Sequence, residues 1–382
     1  MRLLYVAPRF HPNQYPILEG MINKGHQVYF LATKIGHTEK HGDVEITILE
    51  PSELTKRLEK KWTNKSSVYA EDKMIFWFVP NRAQLKHLIV DIAPDVVIVR
   101  DRNLLSLTVV RECRKVGINK ILLYNQSPIY TEKDSFKKNV ERRLWFSLFP
   151  KIRITTCEYR NFPPSPDNKL IKDDNARYLP FVPRNRAKND RQYLSKGIVN
   201  ILDCGKYRDY KNHLLLIYAA GILVERGMHN FKITILGQAL NNDEIQYYER
   251  CKELIQHLHL DSYFRLENCV PYDEVPRYYF ANDLFVLPSK SEQASVSCLD
   301  ALSYGLPTIS TSRNGTASYI KSGITGEVFQ TNDSNDLANK IEIYLKNPNL
   351  IAEQGKNALL DIEQEFGFEN YYRKFMQIIN NL

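Results

Sequence analysis

Short runs of β-branched and aromatic residues alternate with stretches of helical periodicity along nearly the whole chain. RLLYVA (2–7), QVYFLA (27–32), EITIL (45–49), DVVIVR (95–100) and KILLY (120–124) read as strands, with helix-like segments between several of them. This is the rhythm of a doubly wound parallel sheet. It restarts with VNILDC (199–204), KITILG (232–237), DLFVLP (283–288) and PTIST (307–311), separated by helical patterns over 212–226, 242–258 and 333–346. The pattern therefore predicts an α/β chain of two Rossmann-like halves. Their join lies in YLPFVPRNRAKNDRQYLSKG, where Pro180 and Pro183 give way to a polar stretch without apolar periodicity. The boundary is placed close to residue 183.

Length and composition agree with this division. A chain of 382 residues is too long for one ordinary core and suits two domains. With 43% hydrophobic and 25% charged residues it reads as a soluble globular protein, not a disordered, collagenous or coiled-coil one. No low-complexity tract or short-period repeat points to a solenoid or propeller. The longest apolar run, Leu214 to Val224, falls short of the roughly 20 residues that cross a bilayer, so a buried helix is expected there. The opening MRLLYVAPRF reads as a first strand and not as a signal peptide. Six scattered cysteines, with no Cys-x-x-Cys and no zinc-finger spacing, suggest reduced thiols in a cytosolic protein.

Charge is unevenly spread. Residues 1–183 carry 30 Lys and Arg against 20 Asp and Glu, and the remainder 22 against 24. The basic half suits a polyanion, an anionic membrane surface or a phosphorylated substrate, and a solvated basic surface explains it as well.

Candidate chemistry is sparse in the first half and denser in the second. A dinucleotide site needs a glycine-rich turn after the first strand, and APRFHPNQYP has no glycine. GxxxxGK[ST], His-Glu-x-x-His and Asp-x-Asp are all absent, and nothing asks for a metal. In DCGKYRDYKNH the cations Lys206, Arg208 and Lys211 follow a strand end, a place where open α/β sheets bind ligands. A solvated loop would look the same. In FVLPSKSEQASVSCLDALSYGLPTIST a strand leads into a loop with Glu292 and then a helix whose first turn includes Ser295, Val296 and Ser297. Free amides at such a start bind anions. Glu292 and Asp300 fit the two ends of a sugar-containing ligand, because carboxylates accept hydrogen bonds from hydroxyl pairs. Equally, Glu292 could cap the helix and Asp300 face solvent. RNGTASYIKSGITGEVF (313–329) reads as a loop and short helical turn on the same side of the sheet.

Taken in order, GKYRDYK, KITILGQA, YFANDLFVLPSKSE, the Glu-x7-Asp pair, ALSYGLPTIST and SGITGEVF resemble the C-terminal nucleotide-sugar domain of retaining glycosyltransferases of family four. In the first half the likeness rests on the opening strand, INKGHQVYFLA and IAPDVVIVRD, and the closing FGFENYYRKFMQIINNL is similar to a terminal helix that crosses back to the first domain. The resemblance implies the GT-B fold, with two Rossmann-like domains facing across a cleft. Residues 1–183 would form the acceptor side, 184–365 the nucleotide-sugar domain and 366–382 the crossing helix.

Carried over by position, the resemblance puts the diphosphate clamp on Lys206 and Lys211, donor hexose hydroxyls on Glu292 and the ribose diol on Asp300. The amides of Ser295, Val296 and Ser297 would meet sugar and phosphates, and Lys206, Lys211 and Glu292 are the catalytic candidates. The chain departs from the family at several positions, first in Lys206, which keeps the charge of the family's Arg but loses its planar fork. Asp300 replaces the family's second Glu, Ser295 its usual Gly, and His11-Pro12-Asn13-Gln14 its Gly-Gly loop. Where a His is often found after a later strand, Asn125 and Gln126 stand nearest. His11, Asn125 and Gln126 are thus the acceptor-side candidates.

The implied reaction is metal-free transfer of a hexose from a nucleotide-diphosphate sugar to a glycan or lipid-linked glycan, with retention of configuration. It needs no cofactor beyond the donor. The basic, aromatic segment 131–153 suits contact with an anionic membrane, as in bacterial surface-polysaccharide assembly, so a cytoplasmic protein at the inner face of the membrane is expected. A core helix with a basic outer face explains that segment too. A nucleic-acid partner is not expected, because no recognisable RNA or DNA motif accompanies the charge. The alternative is a degenerate GT-B protein serving as a non-catalytic partner subunit.

Overall fold

A computed structural model describes the chain except for residues 36–43, 65–72, 126–135, 157–174, 184–190, 195, 196 and 293. Two sheets, every strand pairing parallel, organise it. The first contains β1 (Arg2–Val6), β2 (Gln27–Ala32), β3 (Ile46–Ile48), β4 (Val96–Arg100), β5 (Ile121–Asn125), β6 (Arg153–Thr155) and β7 (Ala176–Tyr178), in the order β3-β2-β1-β4-β5-β6-β7. The second contains β8 (Val199–Cys204), β9 (Phe231–Gly237), β10 (Phe264–Asn268), β11 (Leu284–Leu287), β12 (Thr308–Thr311) and β13 (Gly326–Phe329), in the order β10-β9-β8-β11-β12-β13. Each sheet reverses direction once, between β1 and β4 and between β8 and β11. Beyond the carboxyl ends of strands at such a reversal lies the crevice where this architecture binds ligands.

The strongly apolar strands fall where the pattern placed them. Four others do not announce themselves. β6 and β7 are three residues each, and β10 (FRLEN) alternates polar with apolar residues at a sheet edge. The fourth, β13, corrects the loop expected over 313–329: Gly326–Phe329 pairs with β12 and closes the other edge. The apolar helix expected over 214–224 spans His213–Glu225 and is mostly buried, with Tyr218 on its outer side.

The halves are joined by more than the chain connection. One apolar cluster packs Leu3, Phe10, Ile17 and Phe30 of the first sheet layer with Leu299, Leu302 and Tyr319 from the second half. Tyr371, Phe375, Ile378 and Ile379 of the helix Phe368–Asn380 belong to the same cluster. That helix lies against the helix Tyr15–Asn23, fixed by Lys24–Glu369 (2.9 Å) and by His26 Nε2 to the Tyr372 hydroxyl (2.9 Å). The approach is close enough that a Cβ on Gly20 would overlap the Phe368 ring. Tyr319, beyond β12, also donates its hydroxyl to the carbonyl of Thr156, just beyond β6, so carboxyl-end loops of the two sheets meet. The junction placed close to residue 183 adjoins residues 184–190, outside the described residues.

Candidate active site

At the reversal point of the second sheet, the loop after β8 (205–212) and the loop after β11 (288–295) lie side by side. They are tied by Lys290 N to Tyr210 O (2.8 Å) and by Lys290 Nζ to Asp209 Oδ2 (2.6 Å). Deeper in, Lys211 Nζ forms an ion pair with Glu292 Oε1, which also accepts from Ser289 Oγ (3.1 Å). Both side chains of that pair are nearly removed from solvent. Burial disfavours the Lys211 ammonium, but the Glu292 carboxylate outweighs it and holds the group above the usual lysine range. Gly205 supplies room: a Cβ there would stand 3.0 Å from Lys211 Cδ.

Glu292 is therefore not a helix cap, one of the two roles its position allowed. Its main chain is fixed instead, with Glu292 N donating to Arg313 O (3.1 Å) and Gly315 N to Glu292 O (3.2 Å). Of the cations expected to cluster here, Arg208 is committed elsewhere, to Glu244 Oε1 at 2.7 Å. Lys206 is exposed at the rim, and its carbonyl accepts from His213 Nε2 (3.1 Å).

The helix Val296–Ser303 starts beside Glu292, with Ser295 at its N-cap making no side-chain capping bond. Ser295 Oγ pairs with Ser297 Oγ at 2.8 Å, and Ser295 N donates to Asn314 Oδ1 at 3.3 Å. That uses one of the amides considered as anion donors. Those of Val296 and Ser297 belong to the first turn, which has no intrahelical acceptors. Asp300 is half-buried on the same helix, and its charge reaches Cys204 and Tyr279 at the end of β8 and beneath the helix. Burial, chiefly, pushes the Cys204 thiol up to about 12, which leaves it protonated and unreactive.

Two supports escaped the sequence reading. His213 is fully buried between Asp203 Oδ2 (2.6 Å from Nδ1) and the Lys206 carbonyl, so it pins the start of the cationic loop to the end of β8. Asn314, also fully buried, holds the N-cap in register: its Oδ1 accepts from Ser295 and Thr316, and its Nδ2 donates to Ser310 Oγ at 2.9 Å. For His213 the available signal was its partner Asp203, a carboxylate within the apolar run VNILDC, whereas Asn314 sits in the polar stretch TSRNGTAS and carries none.

At the reversal point of the first sheet His11 follows β1. Its Nε2 lies 3.2 Å from Arg9 Nη2, and its amide donates to Gln14 Oε1 (3.2 Å). Burial, then Arg100 and Arg9, pulls its imidazole down to about 3, so the ring is neutral at ordinary pH. Asn125 is the last residue of β5, paired in register with Thr155, and Gln126 lies outside the described residues. The segment 131–153 is described from Phe136, as the helix Phe136–Ser147 followed by β6.

The family described as Glycosyl transferases group 1 matches residues 185–360, which carry every second-sheet feature above. The D-inositol 3-phosphate glycosyltransferase of Pseudarthrobacter chlorophenolicus is 26% identical over 182 residues, 47% of this chain and 42% of that protein. The mannosylfructose-phosphate synthase of Agrobacterium fabrum is 28% identical over 144 residues, 37% of this chain and 31% of that protein. The chain thus spans less than half the length of these curated relatives. Among solved structures, Anabaena HepE in complex with UDP superposes with a TM-score of 0.72 at 13% identity, covering 100% of both chains. A glycosyltransferase from Rickettsia africae gives 0.71 at 15% identity, covering 99% of this chain and 97% of that one. The whole chain thus has the two-sheet fold of solved GT-B glycosyltransferases.

Proposed function

We propose that this chain is a retaining glycosyltransferase that moves a hexose from a nucleotide-diphosphate sugar to a glycan or lipid-linked glycan acceptor in bacterial surface-polysaccharide synthesis. Residues 184–365 hold the donor, 1–183 the acceptor, and 366–382 cross back to complete the first domain. The observation that carries the reading is the joining, at one sheet reversal, of a buried lysine, a carboxylate and a helix start. Together these match the phosphate, hydroxyl and leaving-group demands of one ligand. The match of residues 185–360 to group 1 glycosyl transferases supports it, as does the UDP held by a neighbour of the same fold.

In this reading Lys206, Lys211 and the amides of Val296 and Ser297 neutralise the departing diphosphate, so no metal or cofactor is required. Glu292 holds the hexose hydroxyls beside Lys211, and Asp300 the ribose diol, with Ser295 setting the N-cap between them. The bond from the anomeric carbon to the phosphate oxygen breaks as the acceptor hydroxyl attacks from the same face. Its proton passes to the leaving phosphate, and no enzymic nucleophile takes part. His11, neutral and held by Arg9, orients the acceptor hydroxyl together with Asn125 and Gln126. The reaction takes place on the cytoplasmic side, at the inner face of the membrane, which 131–153 touches. The non-catalytic subunit reading is not favoured, since it leaves the assembled donor-side set without a use.

The test is product stereochemistry. Purified protein, given uridine and guanosine diphosphate sugars with excess chelator and a glycan acceptor, should form an α-glycoside from an α-linked donor, read by the anomeric proton coupling when the sugar is gluco- or galacto-configured. A β-glycoside would reject the retaining assignment, and loss of turnover with chelator the metal-free one.

A further inference from the structure

A ladder of aromatic rings leads from the core of the first half to its surface. Phe149 is buried in the cluster behind β4 and β5. Trp145 stacks edgewise on it at 5.4 Å, Phe76 lies 6.0 Å from Trp145, and Trp77 lies 5.3 Å from Phe76. The outer rungs are open to solvent: Ile75 is 48% exposed, Phe76 41%, Trp77 43% and Leu144 66%. Two segments far apart in sequence, the helical turn over 73–77 and the helix Phe136–Ser147, thus share one apolar face. Contiguous exposed apolar surface of this kind marks an interaction site.

Its surroundings identify the partner. Segment 131–153 carries seven Lys and Arg against three Asp and Glu, and of these cations Arg143 and Lys151 are exposed while Arg153 is buried. Trp and Phe set among exposed cations suit the headgroup boundary of an anionic bilayer. Among the described residues no helix is long and apolar enough to cross a membrane. The face also borders the reversal point of the first sheet. Arg102, in the loop after β4, lays its guanidinium over the Phe146 ring at 3.6 Å, and Arg100 and His11 lie on the strand end and loop beside it.

We infer that Ile75, Phe76 and Trp77, with Leu144, insert into an anionic bilayer and turn the crevice between β1 and β4 toward the lipid headgroups, where a membrane-anchored acceptor is presented. This deepens the proposed membrane contact of 131–153, adding the 75–77 turn that sequence reading did not include, and rests on that reading. The test measures vesicle binding without turnover, so its failure leaves the transferase assignment standing.

Full-length protein is sedimented with phosphatidylglycerol–phosphatidylcholine vesicles and with phosphatidylcholine alone. Wild type should co-sediment with the anionic vesicles at low salt and less at high salt, and brominated acyl chains should quench its tryptophan fluorescence. The F76S/W77S variant and, separately, L144S should lower partitioning about tenfold, in line with loss of buried apolar area, with the exposed-site variant L144S keeping the wild-type melting temperature. Wild type left in the supernatant, or variants that bind equally, would overturn the proposal. So would a wild-type dimer that F76S/W77S dissolves, since a second copy would then cover the face. Quenching is read on unaltered protein, so its absence overturns the proposal even if a variant fails to fold.

Discussion

Nδ1 of His213 lies 2.6 Å from Oδ2 of Asp203, and neither side chain touches solvent. With Nε2 facing the Lys206 carbonyl, the imidazole is a rivet between the carboxyl end of β8 and the cationic loop. Replacing His213 by Leu strands the Asp203 carboxylate in the core and should cost about 3–5 kcal/mol, as for one partner of a buried pair. Urea unfolding measures it. The double change D203N/H213L should recover part of that stability without recovering nucleotide affinity, because the loop stays untied. A double variant that binds UDP like wild type would show the rivet to be purely structural.

The Lys211–Glu292 pair makes separable predictions. Lys211→Met should weaken nucleotide-diphosphate binding by about 1.5–3 kcal/mol, the worth of a charge-assisted hydrogen bond, read by calorimetry. It should also destabilise the chain, since Glu292 is left without its partner. Adding Glu292→Gln should restore stability but not affinity. Glu292→Ala alone should lower turnover more than nucleotide binding, and Asp300→Ala the reverse. Equal losses of nucleotide binding in both would show the two carboxylate roles to be misassigned.

Gly205→Ala offers a gentler probe. The new methyl would stand 3.0 Å from Cδ of the flexible Lys211 stem, inside van der Waals contact, so the stem must give by a few tenths of an ångström and should displace its ammonium with little backbone change. A loss of about 1 kcal/mol in diphosphate affinity is expected, at the low end of overpacking costs, with a melting temperature near wild type. A large drop in melting temperature would mean that the loop backbone had moved.

His11 sets an acid limb. Its imidazole is held at about 3 in the folded chain against an ordinary value of 6.5. Between those values the unfolded chain binds a proton that the native one refuses, so stability rises with pH through the window and is lost as pH falls from 6.5 toward 3. The contribution reaches at most about 1.4 kcal/mol per pH unit. His11→Asn should shrink the difference in urea midpoint between pH 4.5 and 7.5, and an unchanged difference would show that His11 is not the group responsible.

How much of this was legible from sequence follows from what sequence pattern can encode. Strands such as VNILDC and DLFVLP are central, so their burial writes an apolar run. The edge strands β7, β10 and β13 and the short β6 are three to five residues, and edge positions tolerate polar side chains, so no run marks them. Lys211 and Glu292 stood out through the ordered motifs that resemble a family. Their pairing did not, because it spans 81 positions and depends on β8 and β11 being neighbours. Arg208 looked equal to Lys211 in the same loop, and only the fold brings Glu244 beneath it. The apolar face was half visible: 131–153 carries its own signature, whereas Ile75, Phe76 and Trp77 look like any short hydrophobic run until Trp145 is seen beside them.

The helix Phe368–Asn380 has a consequence for how the protein is made. Tyr371, Phe375 and Ile379 fill the same cluster as Leu3, Phe10 and Ile17, so an early segment waits for one translated much later. At about 5–20 residues per second, the interval between them is on the order of 20–70 s, during which that side of the first sheet lacks its cover. A nascent chain in this state presents an apolar surface that chaperones recognise, and a product cut short before residue 368 presents it permanently. Arrival of this helix, not completion of either sheet, is then the event that closes the core.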